Sequence, residues 1–226
     1  RDSTIARMIG DLREIRAGET DWRAAFRRFR ESYNYELYPG NCHMVPNHGV
    51  IILGLLYGDD DFQKTLSIVN TCGWDTDCNS GNAGCLLGIK NGLAGIDAGP
   101  DWRGPVADRL YVSSADGGRT VTDAVTEACR LAEAGHRLAA ARGRAGGPWK
   151  PPKQGARFHF DLPGSVQGFR ADDSPETRGT LTVANIADRS RLGSRSLGLA
   201  CRNLAEGVSA RAGTPVFVPP QDLAMP

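Results

Sequence analysis

Over the first 75 positions, apolar residues recur at helical steps. Ile5, Met8, Ile9, Leu12 and Ile15 share one helix face, with Ser3 placed to cap its start and Gly18 to stop it. Asp21 is placed to cap a second helix that turns Trp22, Ala25, Phe26 and Phe29 inward. A tyrosine-rich connector (Tyr33, Tyr35, Tyr38) reads as packed chain and leads to PGNCHMVPNH, where His43 and His48 read as loop or capping residues. Asn47 is in position to cap the next element. That element, GVIILGLLY at 49–57, is apolar on every side, as a helix at the centre of a bundle is. GDDDF then opens a fourth helix. Asp59, Asp60 and Asp61 read as an N-cap cluster, and Phe62, Thr65, Leu66, Ile68 and Val69 as the inner face.

Beyond the turn GWDTDCNSGNAGCLLG at 73–88, glycines recur at 81, 84, 88, 92 and 95. Each costs a helix about 1 kcal/mol relative to alanine. Five on one face therefore predict a close approach to a neighbouring helix. A membrane dimer helix does not fit, because Lys90 and Asn91 interrupt a segment already too short to span. Residues 97–119 are loop-rich, with GPDWRGP and then SSADGGR. A last helix over about 121–142 turns Ala124, Val125, Ala128, Leu131, Ala132 and Leu138 inward. The stretch 143–156 is a basic linker rich in proline and glycine. After it the period becomes two, and FHFDL, SVQGFR, GTLTVANI, RSLGLAC and TPVFVPP read as short strands. The expected fold class is α+β multidomain: a helical bundle over 1–142, a linker, and a small β-sandwich over 157–226 with room for further strands.

Composition narrows the field only slightly. A net charge of +1 over 226 residues gives no field for nucleic acid or an anionic membrane. Six cysteines without a CxxC pair suit reduced thiols, and so a cytoplasmic protein. The chain opens on Arg1, already inside a helical pattern, and reads as part of a longer protein.

The chemistry gathers at Asp75 and Asp77, two carboxylates in a stretch with no other charge. One of them could cap the following helix. A calcium loop needs glycine at its sixth position and glutamate at its twelfth. Ser80 and Leu86 stand there, so that reading fails. Cys72, Cys78 and Cys85 lack zinc spacing and have no histidine motif. The reading left beside capping is a hard-cation site, because carboxylates two apart in a tight turn can face one centre.

The apolar helix, G-x-D-T-D and a following helix rich in glycine and alanine together resemble the ADP-ribosylglycohydrolase family. The likeness is to that family's C-terminal metal motif, commonly G-G-D-T-D-T. It runs from HMVPNHGVIILGLLY through GWDTDCNSGN to Gly95, and more loosely from Arg1 to about Arg142. The resemblance implies an all-α domain that holds two magnesium or manganese ions. It implies hydrolysis of the glycosidic bond in an ADP-ribosylated substrate or a related ribosyl small molecule. Such ions can orient ribose hydroxyls, activate water and offset developing charge.

Carried over by position, Asp75 and Asp77 are the metal-holding and catalytic residues. Cys78 stands where the motif has a hydroxyl ligand, and Trp74 replaces its second glycine. Cys78 is either a third ligand or a bystander, since thiolate suits magnesium poorly. Trp74 either packs in the bundle or walls the substrate pocket. Asn79 and Ser80 either cap the next helix or contact ribose. The family's other acidic motif, a T-D-D run, does not occur in these 226 residues. The expectation is therefore half of a metal site. A non-catalytic helical scaffold with a carbohydrate- or partner-binding β module is the alternative.

Overall fold

The computed structural model describes residues 3–40, 42–112, 120–144, 147–187 and 189–217. The chain divides into two compact units, 1–102 and 103–226.

The first unit is helical: α1 (Thr4–Gly18), α2 (Trp22–Ser32), α3 (Met44–Tyr57), α4 (Phe62–Thr71) and α5 (Thr76–Ile96). Local capping chemistry fixes three of the starts. Ser3 Oγ accepts from the Ala6 amide at 3.2 Å, and the Asp21 carboxylate accepts from Arg23 and Ala24. Asp61 accepts from the Lys64 amide, while Asp59 and Asp60 pair with Lys64 and Lys90 on the surface. One start differs from expectation. α3 begins at Met44, with His43 Nδ1 accepting from the Val45 amide at 3.1 Å. Asn47 thus lies a turn inside the helix and does not cap it.

One apolar cluster joins all five helices. It includes Met8 and Leu12, Phe26 and Phe29, Val50 and Leu53, Leu66 and Val69, and Ala83. α3 is its centre, buried along most of its length as its apolar sequence requires.

The glycine face of α5 does not pack as its spacing predicts. A Cβ on Gly81 or Gly92 would meet nothing within 4 Å, and one on Gly84 would rest at an ordinary 3.7 Å from Phe62. Gly92 leaves the helical conformation altogether, at φ +65° and ψ −170°. Leu86, Ile89 and Leu93 of the same helix are exposed. Close approach occurs in α3 instead. There a Cβ on Gly49 would drive into the buried Phe29 ring, and one on Gly54 into the Val69 side chain.

The second unit holds β1 (Arg109–Tyr111), β2 (Val121–Asp123), α6 (Ala124–Ala141), β3 (Arg170–Ala171), β4 (Leu181–Ala187), β5 (Arg195–Cys201) and β6 (Ala212–Gly213). β4 and β5 pair antiparallel, with Leu181 opposite Cys201; β1 pairs with β2, and β3 with β6. Among the described residues these are three separate two-stranded ladders, not the expected β-sandwich. Alternation found β4 and β5, but FHFDL forms no strand and SVQGFR contributes only its last residue, Arg170, to β3. The SSADGGR stretch lies outside the described residues, as does TPVFVPP beyond Phe217.

The first compact unit ends at residue 102, and hydrogen bonds hold the second together across 143–156. Buried Asp108 accepts from Ser165 Oγ at 2.7 Å and from the Val166 amide at 3.0 Å. The Gly168 amide donates to the Ala107 carbonyl at 2.7 Å, and Gln167 reaches the Arg157 carbonyl at 3.0 Å. The bonds to Ala107 and Asp108 tie 107–108 to 165–168 across the expected linker. α6 goes with them. Of its expected inward positions Val125 is buried, while Ala128, Leu131 and Leu138 are exposed. No helix among the described residues is long and apolar enough to cross a membrane.

Candidate metal centre

The turn between α4 and α5 builds the site. Gly73 takes a left-handed conformation at φ +76°, and Asp75 does the same at φ +47°, ψ +56°. Aspartate tolerates that region better than most residues. Asp75 occupies the N-cap position of α5, yet its side chain accepts no bond from the helix amides. The capping reading therefore fails for Asp75. Its Oδ2 instead accepts from Asn47 Nδ2, brought by α3, and Asn47 Oδ1 accepts from the Tyr35 hydroxyl.

Asp77 and Cys78 follow in the first turn of α5, both exposed. One donor atom each from Asp75, Asp77 and Cys78 lies within 4.8 Å of the others. Ligands about 2.1 Å from a single ion stand at most about 4.2 Å apart. The cluster is thus within a few tenths of an ångström of closing on one cation. The positive end of α5 adds to the field that holds anions there.

The donor chemistry is mixed. Two carboxylates suit magnesium or manganese, whereas a thiol is a weak partner for magnesium and a better one for softer ions. Asp75, by hydrogen bond and charge, and then Asp77 hold the Cys78 thiol above its ordinary pKa. Cys42, from the loop before α3, joins the same environment. Desolvation first, and then Asp75 and Asp77, raise its thiol too. The two carboxylates are the hard donors of the set, which fits a divalent ion through Asp75 and Asp77.

The remaining sequence-selected residues stand around this cluster rather than in it. Trp74 packs in the bundle, its ring centroid 5.2 Å from Phe26, 5.1 Å from Tyr35 and 6.2 Å from Phe29. Asn79 is almost wholly buried, and its amide donates to the Trp74 carbonyl at 2.6 Å. That bond braces the turn. Ser80 Oγ is buried without a hydrogen-bond partner. Tyr35, Asn47 and Cys42 are the residues that sequence reasoning missed. One signal was available for Asn47, because an amide inside an apolar helix needs partners.

A family model described as ADP-ribosylglycohydrolase matches residues 1–145. Searches of curated proteins and of solved structures return no match. The matched region covers well over half of the 226 residues and contains the whole Asp75–Asp77–Cys78 cluster. The chain belongs to the ADP-ribosylglycohydrolase family.

Proposed function

We propose that the helical part of the chain serves a metal-dependent hydrolysis of the glycosidic bond between ADP-ribose and its acceptor. The observation that carries this reading is the convergence of Asp75, Asp77 and Cys78 within 4.8 Å, with Asp75 released from capping. Asp75 and Asp77 would hold magnesium or manganese, and Cys78 would add a ligand only to the softer of the two. Bound there, the ions would supply positive charge to orient the ribose hydroxyls and to offset charge developing in the reaction.

The chain's own residues do the positioning. Asp75 is fixed by Asn47, and the turn by Asn79, so little carboxylate freedom is lost on binding. Trp74 anchors the turn to the bundle through its aromatic neighbours. The rival reading, a non-catalytic helical scaffold with a binding β module, draws on Cys78 standing where the motif has a hydroxyl.

Release of ADP-ribose from an ADP-ribosylated peptide in the presence of manganese tests the proposal. This chain joined to a segment that supplies the second acidic motif should release it, and Asp75→Asn should lose most of that rate. Equal rates would contradict the assignment. Manganese binding without hydrolysis of any ADP-ribosyl substrate would favour the scaffold.

A further inference from the structure

Asn47 is an unusual residue for its position. It sits in the first turn of the most buried helix of the unit, and it is only 7% exposed. Its side chain spends both ends on residues far away in sequence. Oδ1 accepts from the Tyr35 hydroxyl, and Nδ2 donates to Asp75 Oδ2. Three segments thus meet through one amide: the connector after α2, the start of α3, and the turn before α5.

The direction of the two bonds matters. An asparagine amide can face either way, and its partners decide which end is oxygen. The Tyr35 hydroxyl can donate to Asn47 Oδ1, which leaves the NH2 group facing Asp75. That donor comes from α3, since the α5 amides give the carboxylate no capping bond. A neutral donor on Oδ2 fixes the carboxylate without cancelling its charge.

We propose that Asn47 and Tyr35 are positioning residues for cation binding, and that their relay aims the Asp75 carboxylate at the centre it shares with Asp77 and Cys78. The inference rests on the metal-centre reading above. Hydrogen-bond partners of metal-ligating carboxylates are worth about 10–100-fold in metal affinity. Asn47 has the geometry of such a partner, and Tyr35 sets its orientation. Tyr35 has a second tie, its ring lying 5.1 Å from that of Trp74, so removal of the hydroxyl alone should leave the packing in place.

Calorimetric manganese titration of the full 226-residue chain tests this, with a thermal melt of each variant in parallel. Asp75→Asn serves as the control for the metal centre itself. The expected order of affinity is wild type, then Tyr35→Phe, then Asn47→Ala weakened about 10–100-fold, then Asp75→Asn with the least. The loss should not follow the melting temperatures: Tyr35→Phe should bind more weakly at nearly unchanged stability. If Asn47→Ala fails to fold, Tyr35→Phe still decides. Wild-type affinity in a folded Tyr35→Phe or Asn47→Ala, with Asp75→Asn impaired, would overturn the relay and leave the metal centre standing. Equal affinity of wild type and Asp75→Asn would overturn both.

Discussion

α3 carries two glycines and α5 five, and a methyl group added at Gly49 or Gly54 meets surroundings opposite to those at Gly81 or Gly88. On Gly54 of α3 it would collide with Val69, which is fully buried, and on Gly49 its nearest neighbours are atoms of the Phe29 ring. On Gly81 of α5 it would meet nothing, and on Gly88 only Ile96 at an ordinary 3.5 Å. α3 uses glycine to let side chains from α2 and α4 reach its backbone. α5 lies nearer the edge of the bundle, with Leu86, Ile89 and Leu93 exposed, and its chemistry is concentrated at its N-terminus. The difference shows what glycine periodicity can and cannot say. A step of three or four marks a helix face, but only the neighbour's position makes that face a contact.

The largest effect should come from filling the tight helix. Gly54→Ala should cost about 1–3 kcal/mol by overpacking, read from urea or thermal unfolding. Gly88→Ala, on the open helix, should instead be neutral or gain up to about 1 kcal/mol from helix propensity. Equal losses at the two sites would erase the distinction between α3 and α5.

A smaller effect should sharpen the chemical side of the same contrast. α3 contributes a neutral amide to the site, whereas α5 contributes Asp77 and Cys78. Cys78→Thr replaces a soft sulfur by a hard oxygen donor. If Cys78 reaches the ion, this change should tighten magnesium binding several-fold and move manganese less. Unchanged magnesium affinity would mark Cys78 as a bystander.

How much of this was legible in the sequence depends on how local each cause is. Ser3, Asp21 and Asp61 cap the helices they were expected to cap, because a cap bonds amides two or three residues away. Asp75 and Asp77 were found the same way, as a short motif inside one turn. Asn47 was misjudged because its partners lie 12 and 28 residues away. The tie across 143–156 was illegible for a similar reason, since Asp108 is satisfied by residues 57 and 58 positions later. Alternation revealed β4 and β5, yet it carries no information on which ladders stack, and no sandwich formed among the described residues. The hydrophobic face of α6 followed a helical period without a partner to cover Leu131 and Leu138.

Whether Asp75 and Asp77 hold a cation or cap a helix is decided by manganese titration of Asp77→Asn. Asparagine keeps the size of the side chain but loses the charge a divalent ion needs. The charge itself is worth only about 0.3–1 kcal/mol at a helix N-terminus. If they hold a cation, the wild-type chain should bind manganese and melt higher with it. Asp77→Asn should bind far more weakly while its metal-free melting temperature stays nearly the same. Manganese affinity equal to that of the wild type, or a clear drop in metal-free stability with no binding by either protein, would contradict the cation reading.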